Sequence, residues 1–241
     1  MMSELKQFEK DLEYFDICLS EKQMNQFVKY YELLVEWNSF MNLTSIVEFQ
    51  DVLKKHFIDS LSIVNACQKI RSEALDIMDI GTGAGFPGIP LKIAFPQIRL
   101  TLLDSLQKRV KFLQEVASQL ELDHIRFIHG RAEDYAKPNL DREKYDICVS
   151  RAVANLSTLS ELCLPYVKKG GIFISYKSEK VVEESKEAAH AITLLGGKTK
   201  EKVEMYLPDS DIYRCLYIIE KEKVTPGKYP RKAGLPAKDP L

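Results

Sequence analysis

The chain has 241 residues, of which 45% are hydrophobic and 29% charged, and its net charge is −1. This composition is typical of a globular protein with a substantial core, and the near-zero net charge leaves any contact with nucleic acid to local basic patches. Five scattered cysteines without a C-x-x-C pair argue against a disulfide framework or a thiolate metal site. The polar N-terminus and the lack of a long apolar run argue against a signal peptide and a membrane span, so we expect a cytoplasmic protein without a membrane or metal partner.

Residues 1–68 have the periodicity of helices. Ser20 and Gln23 form a capping-box pattern ahead of the amphipathic run QFVKYYELLVEW, which predicts the start of a long helix. A turn is predicted around Asn42, and more helix follows it. Four aromatic residues at helical spacing favour core packing: Phe27, Tyr30, Trp37 and Phe40.

From residue 75 onward, apolar runs of strand length alternate with longer helical stretches. The predicted strands are LDIMDI, IRLTLLD, IRFIHG, YDICVS, GIFISYK, TKEKVEMY and IYRCLYIIE. This alternation is typical of a mostly parallel, doubly wound sheet with helices on both faces. No helix separates the last two strands, so we expect them to pair antiparallel at an edge of the sheet.

These patterns predict an α/β fold with three parts: an N-terminal helical subdomain (1–68), a sheet domain (69–221) and a C-terminal tail (222–241). The tail is basic and rich in proline. By composition alone it could be a disordered, solvated end, although its prolines limit chain entropy and suit a segment that docks.

The stretch DIMDIGTGAGFPG, residues 76–88, predicts a strand, a glycine turn and the start of a helix. Gly81, Gly83 and Gly85 alternate, whereas a dinucleotide fingerprint would need its third glycine at Phe86. A Walker lysine is missing, which argues against an NTPase. Asp104 ends the next predicted strand, where a carboxylate can accept hydrogen bonds from two ribose hydroxyls. A turn without a ligand, and a helix N-cap role for Asp104, remain the plain alternatives.

Together with GRAED after the third strand, this arrangement resembles the class I S-adenosylmethionine-dependent methyltransferases, which have a Rossmann-like, seven-stranded sheet. The resemblance implies that the glycine turn meets the methionine moiety of the cofactor and that Asp104 holds its ribose. It also implies that Ala132 and Glu133 flank the adenine. Read in isolation, Ala132 and Glu133 could equally begin a solvated helix.

The loop after the fourth strand, DICVSRAVANL, lacks the Pro-Pro-aromatic signature of enzymes that methylate exocyclic amino groups. It also lacks the Pro-Cys pair of RNA cytosine C5 enzymes, and Cys148 lies inside an apolar strand. The strings SRAVANL, KHFIDSL, DIGTGAGFPGIPLKI, LLDSLQKRVKFL, GRAED and TPGKYPRKAGLPAKDPL resemble the bacterial ribosomal RNA small subunit methyltransferase G family, also called glucose-inhibited division protein B. The resemblance runs from about residue 24 to the end.

This resemblance implies methyl transfer from S-adenosyl-L-methionine to N7 of one guanosine in 16S rRNA. Matched residue by residue, the family's cofactor contacts fall on Gly81, Phe86, Ala132, Glu133 and Arg151. Gly83, Gly85 and Asp104 join them through the class I pattern. Asn155 departs from the family, because many relatives have a basic residue there.

Guanine N7 has a free lone pair and carries no proton, so the reaction needs alignment more than a base. We therefore expect no histidine–carboxylate pair and assign the catalytic positions to Arg151, after the fourth strand, and Lys177, which ends the fifth. Each of the four histidines is expected to be a surface or internally bonded residue. The predicted RNA-binding residues are Lys108, Arg109, Lys228, Arg231 and Lys232.

The expected partner is 16S rRNA, the 30S subunit or its precursor, and we take the chain to be a monomer. Two other interpretations stay open at this point. One is a methyltransferase of a small molecule or a protein with the same cofactor half. The other is a nucleotide-binding module without catalysis.

Overall fold

The computed structural model describes residues 2–151, 154–179 and 181–241. Its centre is a seven-stranded sheet with the order β3-β2-β1-β4-β5-β7-β6. The strands are β1 (Asp76–Ile80), β2 (Arg99–Asp104), β3 (Ile125–His129), β4 (Tyr145–Ser150), β5 (Val167–Lys177), β6 (Gly197–Tyr206) and β7 (Tyr213–Lys221). This order confirms the predicted α/β class: β2 and β3 are added on one side of β1, and β4 and the later strands on the other.

The strands β1 to β5 pair in parallel, and β7 pairs antiparallel with both β5 and β6. The inner strands β1 and β4 are buried on both faces, which is why their sequences read as continuous apolar runs. The antiparallel pairing predicted for the last two strands is confirmed. Strand β5 begins at Val167, ahead of the predicted GIFISYK, because the exposed Lys168–Gly170 stretch extends it.

Helices cover both faces of the sheet, since alternate residues of β1 belong to two separate core clusters, each of which includes residues of helices. They are α1 (Met2–Tyr14), α2 (Glu21–Met41), α3 (Phe49–Val52), α4 (Asp59–Leu61), α5 (Gly88–Ala94), α6 (Gln107–Gln119), α7 (Ala132–Tyr135), α8 (Leu156–Cys163), α9 (Val181–Glu187), α10 (Ala189–Leu194) and α11 (Leu235–Lys238). A π-helical turn (Leu53–Ile58) joins α3 to α4, and 3₁₀ turns cover Ser62–Asn65, Gln68–Arg71 and Leu164–Tyr166.

The capping box predicted for α2 is confirmed: the Ser20 side chain accepts from the Gln23 backbone, and the Gln23 side chain accepts from the Ser20 backbone. The helix ends at Asn42, which adopts a left-handed conformation, as expected for the predicted turn. The prediction that Phe40 packs in the core is wrong, because this side chain on the last turn of α2 is 65% exposed.

The N-terminal helices and the sheet share one apolar core. Within it, the ring of Phe27 lies 5.3 Å from Phe8 and 5.0 Å from Phe57. The predicted boundary between the helical subdomain and the sheet domain, at residue 68, therefore separates elements that pack together. The three-part division of the chain stays a prediction. Among residues 2–151, 154–179 and 181–241, every helix is too short or too polar to cross a lipid bilayer.

The C-terminal tail packs on the sheet domain. Arg142 donates to the carbonyl oxygens of Thr225 and Tyr229 at 2.6 and 2.7 Å, and both tail residues are buried. Thr158 on α8 donates to the carbonyl of Pro236 at 2.9 Å. These contacts favour the docked form of the tail over the solvated one.

Candidate cofactor and substrate site

The glycine turn lies at the carboxyl end of β1, and its three glycines all have positive φ angles, of 70°, 62° and 100°. A Cβ added at Gly83 would have its nearest described neighbour, the carbonyl oxygen of Gly81, 4.0 Å away. A Cβ at Gly85 would instead lie 2.7 Å from both Ile89 and the Tyr30 hydroxyl. Gly83 therefore keeps open space beside the backbone, whereas Gly85 is required by packing.

Asp79 is fully buried beneath this turn. Its Oδ2 accepts hydrogen bonds from the Thr82 hydroxyl at 2.8 Å and the Gly88 backbone at 3.0 Å. Its Oδ1 has no hydrogen-bond partner within the described part of the chain. Burial raises the pKa of this carboxyl to about 7. A buried oxygen without a partner is costly unless something completes it, so the turn has an unused acceptor at the ligand-bearing edge of the sheet.

Asp104 fastens the end of β2 to the glycine turn. Its buried carboxylate accepts from the Gly83 backbone at 3.0 Å and from the Leu106 backbone at 2.9 Å, and Arg109 approaches it at 3.3 Å. Helix α6 has Leu106 at its N-cap, so the plain reading of Asp104 as that N-cap is wrong. The acid instead orients the turn and offers its remaining lone pairs at the same edge.

Phe86 and Arg151 come together, although 65 positions separate them in the sequence. The Arg151 guanidinium lies 5.0 Å from the centroid of the Phe86 ring, a cation–π distance. The ring of His56 stacks on Phe86 at 4.4 Å. Two residues of the SRAVANL motif, at positions 152 and 153, lie outside the described residues.

Sequence reasoning missed two members of this cluster, His56 and Asp59. Arg151 donates to Asp59 Oδ2 at 2.9 Å, to the Lys55 carbonyl at 3.0 Å and to His56 Nδ1 at 3.1 Å. The signal was available in KHFIDSL, where a histidine and an acid three positions apart share one helical face. The expectation that His56 is internally bonded is confirmed.

Ala132 and Glu133 begin the short helix α7 after β3. Ala132 is buried, and its carbonyl accepts from the Tyr166 hydroxyl at 2.6 Å. Glu133 Oε1 accepts from the backbone of Gly234 at 2.8 Å, which brings the C-terminal tail to this edge of the site. Nothing in the sequence pairs Glu133 with Gly234, because their contact depends on how the tail docks.

Lys177 ends β5 at the carboxyl edge, as expected. Its side chain is 7% exposed, and its Nζ lies 2.6 Å from Glu184 and donates to the Ala154 carbonyl at 2.7 Å. A catalytic role for Lys177 stays a prediction. Asn155, the departure from the family pattern, caps α8 by accepting from the Thr158 backbone at 2.8 Å.

The predicted RNA-binding residues fall into two groups by their contacts. Lys232 is exposed, Lys228 is exposed with its Nζ 5.2 Å from the Tyr229 ring centroid, and Lys108 is exposed and donates to the Met41 carbonyl at 3.0 Å. Arg109 contacts Asp104, and Arg231 binds the fully buried Glu161 through Nε and NH2. All five RNA-binding roles stay predictions, but the guanidinium of Arg231 already has protein partners.

Comparison with solved structures finds proteins of similar architecture. A putative transferase from Pyrococcus horikoshii has a TM-score of 0.53 and 13% identity, with 68% of this chain and 64% of that chain covered. A precorrin-6y C5,15-methyltransferase from Geobacter metallireducens has a TM-score of 0.50 and 13% identity, with 68% and 88% covered. At this identity the likeness shows the class I methyltransferase fold and nothing finer.

Sequence relatives are much closer. A protein from Lachnoclostridium phytofermentans named ribosomal RNA small subunit methyltransferase G is 56% identical, over 92% of this chain and 91% of the relative. One of the same name from Limosilactobacillus reuteri is 49% identical, over 98% of each chain. A family model described as rRNA small subunit methyltransferase G matches residues 23–212. The chain therefore belongs to the rRNA small subunit methyltransferase G family, and its methyl donor is S-adenosylmethionine.

Proposed function

We propose that this protein methylates N7 of a specific guanosine in 16S rRNA. The observation that carries the proposal is the edge of the sheet where a glycine turn with open space at Gly83 lies between two buried carboxylates, Asp79 and Asp104. The family membership of the chain supports ribosomal RNA as the substrate.

The residues of this edge fit the methyl donor. The open space at Gly83 admits a ligand beside the backbone, and the unpaired Oδ1 of Asp79 provides a buried acceptor for a cationic or N–H group. In our proposal Gly81, Gly83 and Asp79 meet the methionine moiety, Asp104 holds the ribose, and Ala132 with Glu133 flanks the adenine. Gly85 contributes by allowing the turn to pack.

S-adenosylmethionine supplies an electrophilic methyl group on its sulfonium. Guanine N7 offers a lone pair without a proton, so the protein has to align two reactants and needs no general base. His56 fits this view: Arg151 can only donate, so His56 Nδ1 must be the acceptor of their contact. Burial lowers the pKa of His56 to about 3, which keeps the ring neutral.

Arg151 is the residue we assign to the meeting point of donor and base. Its charge is paired with Asp59, and its guanidinium is held near the Phe86 ring beside the glycine turn. A guanidinium held this way can define one wall of the site without moving a proton. Lys177 lies on the same edge, and its ammonium group pairs with Glu184. We propose that it contacts the RNA backbone when the substrate binds.

Three exposed lysines lie outside the proposed cofactor site, and we propose that they contact rRNA phosphates: Lys108, Lys228 and Lys232. Arg109 and Arg231 then contribute mainly by holding Asp104 and the tail in place. The partner is 16S rRNA, alone or within the 30S subunit, in the cytoplasm.

The test uses S-adenosylmethionine with a labelled methyl group. Purified protein is incubated with 30S subunits and with protein-free 16S rRNA from cells that lack this enzyme, and label is then counted in the RNA and protein fractions after the unreacted donor has been removed. We expect label in 16S rRNA from one or both substrates, and a strongly reduced rate of labelling after Arg151→Ala. Label that appears only in protein would replace this proposal with a protein methyltransferase, and a protein that labels neither rRNA nor protein would contradict it.

A further inference from the structure

We propose that Asp59, on the helical segment before the sheet, is a positioning residue that holds the Arg151 guanidinium against Phe86. The test of this inference by methylation rate rests on the proposed function, but its test by affinity for S-adenosylmethionine does not. Among the described residues, the side chain of Asp59 makes no hydrogen bond or ion pair with the glycine turn or with Asp104, so its effect on the reaction would run through Arg151.

The contacts of Asp59 show why a single carboxylate can do this. Its side chain is 3% exposed. One oxygen lies 2.9 Å from Arg151 NH1 and the other lies 2.9 Å from Nε of Arg214, on β7. Because both oxygens are engaged by guanidinium groups from different elements, the carboxylate has little freedom to rotate.

The π-helical turn Leu53–Ile58 presents further acceptors to the same guanidinium. The Lys55 carbonyl accepts from Arg151 NH1, and His56 Nδ1 accepts from NH2. His56 Nδ1 also lies 3.2 Å from the Lys55 carbonyl, but the closer Arg151 NH2 can only donate, so we assign the ring proton to Nε2, which lies 3.0 Å from the Thr44 hydroxyl. Single π-helical turns inside α-helices are frequent at functional sites, and this one directs its acceptors at one side chain.

The same cluster orients Phe86. His56 stacks on the ring at 4.4 Å, and the Arg151 guanidinium lies 5.0 Å from its centroid. Phe86 follows the glycine turn directly, so a shift of Arg151 would also move the Phe86 ring beside the proposed cofactor site. A misplacement of about 1 Å can cost roughly a hundredfold in rate even when its cause is distant from the chemistry.

The experiment is a double-mutant cycle between Asp59→Asn and Arg151→Ala. Affinity for S-adenosylmethionine is measured by calorimetry, and the single-turnover methylation rate is measured on 16S rRNA and 30S subunits. In the wild-type background we expect Asp59→Asn to lower the methylation rate or the cofactor affinity at least tenfold, because it would displace Arg151 from the site. In the Arg151→Ala background the same change should have an effect of about twofold or less, because the group it positions is gone.

Asp11→Asn is the matched control. Asp11 is a buried acid on α1 that pairs with Lys54 of the same π-helical turn, away from the Arg151 contact. It should lower the melting temperature much as Asp59→Asn does, while the rate and the cofactor affinity stay near wild type.

Equal losses from Asp59→Asn in both backgrounds would overturn the inference, as would an Asp59→Asn protein with wild-type rate and affinity. An Arg151→Ala protein that is wild type in both readouts would also overturn it, because nothing would remain to be positioned. If the wild-type protein leaves rRNA unmethylated, the proposed function fails, and the cofactor-affinity cycle still decides the role of Asp59.

Discussion

The glycine turn and the C-terminal tail meet the same edge of the sheet but are held there in different ways. The turn is fixed by bonds among near neighbours: Asp79 binds Thr82 and Gly88, and the end of the next strand supplies Asp104. The tail is fixed by distant residues, among them Arg142, Glu161 and Glu133, which bind its backbone or its Arg231.

Because of this difference, charged residues have different roles in the two regions. In the turn, the buried carboxylates organise the backbone and also lie at the edge where we propose that the cofactor binds. In the tail, one basic residue anchors the segment while two others, Lys228 and Lys232, stay exposed. Substitutions of the two carboxylates should therefore damage folding and binding together, whereas substitutions of the basic residues in the tail should separate the two effects.

The largest effect is expected from Gly85→Ala, which tests the packing of the turn. The positive φ costs about 1–2 kcal/mol for a residue with a Cβ, and contacts of 2.7 Å with Ile89 and Tyr30 add up to about 3 kcal/mol of overpacking. Urea unfolding should show a loss of about 4 kcal/mol. Gly83→Ala is the control, and it should lose only about 1–2 kcal/mol of stability while weakening cofactor binding. Equal unfolding midpoints for the two variants would contradict the assignment of separate roles.

Arg231→Met tests the anchor of the tail. It leaves Glu161, which is fully buried, without its guanidinium partner, and breaking such a pair from one side costs about 3 kcal/mol. Urea unfolding measures the loss. Adding Glu161→Gln should restore part of the stability, since it removes the uncompensated charge. If Arg231→Met unfolds like the wild type but loses RNA affinity, Arg231 is an RNA contact and not an anchor.

Asp104→Asn tests the binding role of the turn's second carboxylate. The charge is removed, and one of the two oxygens that accept from the Gly83 and Leu106 backbones becomes an NH2 donor, so the turn loosens and affinity for S-adenosylmethionine should fall by at least about 2 kcal/mol, or roughly thirtyfold. Calorimetry gives the value directly. Asp76→Asn, at the start of β1 and paired with Arg99, should bind the cofactor normally. An unchanged affinity for Asp104→Asn would remove this residue from the site.

The smallest effect is expected from replacing both Lys228 and Lys232 with alanine. Their side chains are exposed, so the melting temperature should not move. The slope of log RNA affinity against log salt should fall by about 0.7–0.9 for each phosphate that the protein no longer neutralises. Lys22→Ala, an exposed lysine at the start of α2, serves as the control. An unchanged salt slope in the double variant would make the tail lysines bystanders.

Much of the turn could be predicted from the sequence, because its information is local. Alternating glycines after an apolar strand and an acid at the next strand end are readable from a single stretch of chain. The antiparallel pairing of the last two strands was also accessible, since two strands without an intervening helix must pair antiparallel or be reached by a long connection.

The rest depends on contacts between distant residues. Composition alone could not separate Arg231 from Lys228 and Lys232, because only docking brings Arg231 to Glu161 on α8. His56 and Asp59 lie more than 90 positions from Arg151, so their shared contact appears only when the helical segment packs on the sheet. The exposure of Phe40 was also not predictable from local sequence. Helical spacing predicts which side of α2 the residue lies on, but α2 ends before another element covers this side chain.

The central claim, that the methyl group goes to N7 of one guanosine in 16S rRNA, has a direct chemical test. Unmodified 30S subunits are treated with the protein and S-adenosylmethionine, and the extracted rRNA is reduced with borohydride and cleaved with aniline, which cuts the chain at 7-methylguanosine. Primer extension then reads the cut sites. We predict one new stop, at a single guanosine, which becomes much weaker when Arg151→Ala replaces the wild type. Incorporation of a methyl group into the rRNA without a cut would place the modification on another atom and contradict the claim.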